Sequence, residues 1–212
     1  MITSSQITSN TAQPGPFSHV IQMLNTCQSQ VVDREAVTFD RSVIDDVTVE
    51  AASKFIGKYL SYLIYHPSWK VNPDSTVCTA RESVFETTLE QNGAVYIYTV
   101  AKSLLLTMKR ELRLREIECI EGLVYLCRFL KKSRNDFVIN YQTFAMTFTV
   151  AMMFAYKLNQ DAARVNLHWQ SVFRVNLHDL SSSEQYFVSM LGCDASINAK
   201  ALAKAIDIIA SY

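Results

Sequence analysis

The stretch "NYQTFAMTFTVAMMFAYKL" (residues 140–158) decides the fold. Phe144, Met146, Phe148, Val150, Met152, Met153 and Phe154 lie too close together in sequence to share one stripe. A helix with this pattern is apolar on every side and belongs inside a protein, surrounded by other helices. Its valine and threonines also suit a strand, but its length favours a helix. The run meets Lys157 before it is long enough to span a membrane, and no other segment comes closer to doing so.

The rest of the chain supplies the surrounding helices. From Val47, the residues Ala52, Phe55, Ile56, Tyr59, Leu60 and Leu63 recur at spacings of three and four, with Lys54, Lys58 and Ser61 off the stripe. A helix over 47–65 follows, broken by Pro67 and Pro73 in "HPSWKVNPDS" (66–75). Residues 74–212 contain no proline and only Gly93, Gly122 and Gly192, so helix can run widely. Ile97, Val100, Leu104, Leu105, Met108 and Leu112 mark one amphipathic helix; Ile117, Ile120, Val124, Cys127 and Leu130 mark the next. A short helix at about 167–176 turns Trp169, Val172 and Phe173 inward. Another starts near Ser181 with Phe187, Met190 and Leu191, and "AKALAKAIDIIAS" (199–211) forms the last. The expected fold is all-α: an arm over 1–46, rich in Ser, Thr, Gln, Asn and Pro at its start, then a helical domain over 47–212. Within the arm, "HVIQMLNTCQSQV" (19–31) suits a short helix.

Composition narrows the function. The 212 residues are 49% hydrophobic and carry 20 basic and 20 acidic side chains, which fits a folded domain without a bulk basic field for nucleic acid or acidic lipid. The five cysteines are odd in number and form no CxxC, and the N-terminus lacks the pattern of a secretory signal. Reduced thiols in a cytoplasmic or nuclear protein are expected. Cys119 and Cys127, on one helix, read as core packing. The chain has no Gly-rich phosphate loop and no GxSxG elbow, and His19, His66, His168 and His178 are scattered without HExxH. No enzyme activity, metal or cofactor is expected. The basic clusters "KRELRLR" (109–115) and "KKSR" (131–134) read first as helix faces and ends, where cations suit the helix dipole. The sharper reading is docking of an acidic or phosphorylated partner.

Four segments taken in order resemble the cyclin box. "LVYLCRFL" (123–130) resembles the end of the family's second helix, with Tyr125, Arg128 and Phe129 in place and Cys127 where an Asp is usual. "AYKLNQD" (155–161) resembles the end of the third. "NLHWQSVFRV" (166–175) supplies the Asn and spaced aromatic of the fourth through Asn166 and Trp169. "SSSEQYFVSMLGCDASI" (181–197) is similar to the fifth, with Glu184, Phe187, Val188, Leu191 and Ile197 at family spacings. The match resembles the single-box Pho-type (P/U-type) cyclins most closely. It implies a cyclin-like five-helix box around a buried central helix, with the box core at about 94–197, an added N-terminal helix and a C-terminal helix. The substrate-docking "MRAIL" sequence of cell-cycle cyclins is absent from the first box helix.

The resemblance implies a regulatory subunit that binds and activates a cyclin-dependent protein kinase. Lys157 and Glu184 would make polar contacts to the kinase helix that carries a catalytic glutamate, with Phe154, Leu158, Phe187 and Val188 as apolar neighbours. The residues alone leave other readings open. Lys157 suits the last turn of its helix as a cation that snorkels to water. Ser181-x-x-Glu184 fits a capping box, with Ser181 as the N-cap. A cyclin-fold adaptor for non-kinase partners, such as transcription proteins, and an unrelated helical scaffold are the competing functions.

Overall fold

In the computed structural model, residues 42–65, 84–133, 137, 139–141, 143–160, 166–192 and 196–212 are described, residue 65 and residues 84–91 by their backbone alone. Most of the expected arm, the helix expected over 19–31 and the proline-bearing break at 66–75 lie outside these residues. Seven α-helices make up the described fold: α1 (Asp46–Tyr65), α2 (Val84–Thr107), α3 (Glu116–Lys132), α4 (Phe144–Asn159), α5 (Asn166–Phe173), α6 (Leu177–Leu191) and α7 (Ala199–Ala210). A π-helical turn, Met108–Leu112, continues α2. There is no strand among the described residues; Val43 and Arg115 form an isolated antiparallel bridge.

Residues 43–46, at the end of the expected arm, belong to the fold. Ile44 is fully buried and its N–H donates to the Leu114 carbonyl at 2.9 Å. Asp45 accepts from the Thr48 N–H at 2.6 Å, an N-cap geometry for α1. That bond holds the Asp45 carboxyl below its usual range. All six stripe residues of α1 are buried, as their spacing requires. Ser61 is buried too, against expectation, and its hydroxyl therefore does not mark a solvent face. The α1–α2 contact is the most extensive in the fold. Glu50 fastens it: the Lys102 ammonium and the Tyr98 hydroxyl bond its carboxylate and lower its pKa to about 2.

The amphipathic pattern after Ile97 continues through the π-turn, which ends where Arg113 adopts a left-handed φ of 56°. Its N–H bonds back to the Met108 carbonyl, five residues earlier.

As expected, α4 lies largely in the core, with Thr147 to Met153 all buried, although Met146 and Phe154 are half-buried. The structure differs in giving it an equal: every residue of α3 from Ile117 to Leu130 is buried, and α3 packs on α1, α4, α6 and α7. The sequence reads α3 as one-sided because Glu118, Glu121 and Arg128 mimic a wet face. Each of these polar groups is instead bonded within the protein: Glu118 to Arg115, Glu121 to Asn159, and Arg128 to the Ser196 carbonyl at 2.9 Å. Cys119 and Cys127 lie in this core, and burial pushes both thiols up to about 12, out of the reactive range.

Gly122 lets α3 and α4 approach closely. A Cβ there would stand 2.6 Å from the Met152 sulfur and 3.2 Å from the Met152 Cα. The sulfur can move; the backbone cannot move cheaply. Gly122→Val is expected to lower the unfolding free energy by about 1–3 kcal/mol, read from the urea midpoint. An unchanged midpoint would mean that the two helices have slack.

Candidate functional site

The site forms where α4 ends, α5 begins and the first half of α6 passes. Lys157 lies in the last turn of α4, and Asn166 opens α5. The start of α6 corrects the sequence reading. Asn176, not Ser181, is the N-cap: its side chain accepts from the His178 N–H at 2.8 Å, and the Leu180 N–H already donates to the Asn176 carbonyl. The physical reason is Leu180, which is fully buried. Leu180, Glu184, Phe187 and Leu191 follow a 4-3-4 spacing, so the helix must already be wound at Leu180 to bury that side chain with the others. The helix therefore starts at Leu177, four residues before the expected Ser181, and Ser181-x-x-Glu184 is not a capping box.

With the cap assignment gone, Glu184 has another partner. Lys157 Nζ stands 2.5 Å from Glu184 Oε1 and also donates to Asn166 Oδ1. Asn166 Nδ2 donates to Glu184 Oε2 at 2.7 Å and to Ser181 Oγ at 3.2 Å. Lys157 thus does not simply snorkel into water; it and Glu184 are largely buried and joined by an amide from a third helix. Three helices contribute to one hydrogen-bonded triad. Two of the three ammonium protons and one amide proton are committed to it, the other amide proton going to Ser181, which leaves one ammonium proton and further carboxylate lone pairs outside it.

The expected apolar neighbours divide. Leu158 and Val188 are exposed, at 45% and 39%. Phe154 is half-buried, its ring edge-on to Tyr125 at 5.0 Å and to Phe187 at 5.9 Å. Phe187 is only 1% exposed and stacks on Phe129 at 4.7 Å, so it is a core residue and not a surface contact of this chain. Its ring closes one side of a 230 Å³ hollow that Phe129, Met146, Val150 and Tyr186 also line.

The structure singles out two residues to which the sequence assigns no contact. Asn166 carried only a family spacing, and nothing in its neighbours announced a bond to residues 9 and 18 positions away. Leu167 is 60% exposed. Its signal was available: it lies about 200° around α5 from the inward Trp169, an odd place for a leucine.

Of the two basic clusters, the first turns largely to internal partners. Lys109 pairs with Asp46, Arg110 with Glu111, and Arg115 with Glu118. In the second, Lys131 and Lys132 occupy the last turn of α3, and Lys132 bonds the Leu191 carbonyl at the end of α6.

Among the described residues, no group of three or more His, Cys, Asp or Glu side chains is placed to hold a metal ion. No helix among them is long and apolar enough to cross a membrane. The triad is a charge pair bridged by an amide across three helices, with exposed Leu158 next in sequence to Lys157 and exposed Val188 one turn after Glu184. No protein-family model, curated protein or solved structure matches the chain.

Proposed function

We propose that the chain is a cyclin-like regulatory subunit that binds a cyclin-dependent protein kinase through the face formed by α4 and α6. One observation carries the reading. Lys157 and Glu184, 27 residues apart and singled out by the sequence resemblance, meet on these two helices with Leu158 and Val188 exposed next to them. The order of elements agrees with it: α2 to α6 make a set of five helices, with α1 before it and α7 after it.

In this reading the chain does no chemistry. It binds the kinase conformation in which the helix carrying the catalytic glutamate is turned inward, so that the kinase Lys–Glu pair forms. Tighter binding to that state than to the inactive one shifts the kinase population towards activity. Lys157 and Glu184 supply the polar contacts; Leu158, Val188 and the accessible edge of Phe154 supply the apolar ones.

The test is capture of cyclin-dependent kinases from an extract of the source cell, followed by a kinase assay. Wild type is expected to capture an active kinase. Lys157→Glu sets two carboxylates side by side and is expected to weaken capture at least 30-fold, the equivalent of about 2 kcal/mol for disrupting a desolvated interfacial charge pair. Failure of the wild-type chain to capture any such kinase sinks the proposal. Capture of non-kinase factors that is indifferent to Lys157→Glu would favour the adaptor reading.

A further inference from the structure

The turn that carries Lys157 is held from its far side by a second polar cluster, which the triad does not include. α4 leaves its last turn through Gln160 in an extended conformation (φ −111°, ψ 128°). Its terminal carbonyls need partners from elsewhere. Arg115, 44 residues earlier, supplies one: its Nη2 donates to the Asn159 carbonyl at 2.6 Å. The same guanidinium bonds Glu118 Oε1 through Nε at 2.8 Å and pairs with it through Nη2 at 2.7 Å. Glu118 is fully buried and accepts in addition from Gln160 Nε2 at 2.7 Å and from the Arg115 N–H at 2.7 Å. Asn159 Nδ2 donates to Glu121 Oε2.

Both residues at the α4 exit are therefore fastened to the first turns of α3. Arg115 is itself anchored, since it forms the bridge to Val43 and its backbone N–H donates to the Glu118 carboxylate in the first turn of α3. Asn159 lies about 200° around the helix from Lys157. One turn is gripped on one side by Glu121 through the Asn159 side chain, on the other by Asn166 and Glu184, and at its end by Arg115 through the Asn159 carbonyl.

We infer that Arg115 is a positioning residue for the Lys157 site: through the Asn159 carbonyl and Glu118 it holds the end of α4 so that Lys157 stays within reach of Glu184 and Asn166. The use of that geometry for a kinase rests on the function proposed above; the positioning itself does not. Arg115 belongs to the basic cluster that the sequence offers as a docking surface, and the structure turns it to internal work.

The experiment measures acetylation of individual lysines in the intact chain by limiting acetic anhydride, read by peptide mass spectrometry. It compares wild type with Arg115→Lys and Gln160→Ala. Arg115→Lys keeps a cation near Glu118 but loses the planar fork that serves two acceptors. Gln160→Ala removes one bond to Glu118 and leaves the ion pair, which keeps the test open should the first variant fold poorly. Lys157 is expected to react about five-fold faster in either variant, the effect of losing roughly one hydrogen bond's net contribution. Lys102, held by Glu50 between α1 and α2, is expected to keep its rate. An unchanged Lys157 rate in both variants overturns the inference, and so does an equal rise at Lys102, which would mean general loosening. Kinase capture by the same variants separates the two proposals. If no kinase is captured by wild type while Lys157 alone becomes reactive in the variants, the kinase reading falls and the positioning role stands.

Discussion

Phe187→Ala is expected to lower the free energy of unfolding by about 3–5 kcal/mol, the range for truncating a buried phenylalanine. The ring stacks on Phe129, meets Phe154 edge-on and is 1% exposed, so its removal deletes transfer energy and leaves a void. That void adjoins the 230 Å³ hollow already beside it, and the loss within this range depends on how far the neighbouring side chains collapse into it. Leu158→Ala is the matched control. Leu158 is 45% exposed, and its truncation is expected to change stability by no more than about 0.5 kcal/mol. Urea unfolding of the two variants checks this. A loss below about 1 kcal/mol at Phe187 would remove it from the core and return it to the surface where the sequence resemblance first put it. The pair matters for function because a weakened partner interaction in Phe187→Ala would report a damaged scaffold, whereas one in Leu158→Ala would report a lost contact.

Glu118→Ala is expected to cost about 3–5 kcal/mol as well, for a different reason. The carboxylate is fully buried and serves the Arg115 guanidinium, the Arg115 N–H and Gln160. Removing it strands a largely buried cation and two further donors in a site that water does not readily reach. Glu118→Gln keeps the shape and part of the acceptor capacity, so it should cost less than the alanine variant. Equal urea midpoints for wild type and Glu118→Ala would contradict the burial of a working ion pair at the head of α3. Losing one partner of a buried ion pair is costly, although the intact pair adds little to stability over apolar residues of the same shape.

Both cases show where reading from sequence succeeds and where it stops. The stripe of α1 and the all-round apolar surface of α4 were legible because periodicity reports which faces of a helix leave water. The all-α class follows from the same patterns. The burial of α3 was not legible. Glu118, Glu121 and Arg128 have the spacing of a solvated face, and only partners at residues 115, 159, 160 and 196 make that face internal. The start of α6 was misplaced for a related reason. Ser181 and Asn176 are both good caps, and the burial of Leu180 decides between them.

The sequence by itself determined the helical class, the apolar faces of most helices and the core placement of Cys119 and Cys127; only a family resemblance linked Lys157 with Glu184. The tertiary structure alone decided that these two touch, that Asn166 joins them, that Phe187 faces inward while Leu167 faces out, and that Arg115 grips the end of α4. Hydrophobic burial repeats with the helix period and is therefore written locally. A polar group's satisfaction depends on a partner that chain folding brings from 27 or 44 residues away, and no local pattern carries that distance.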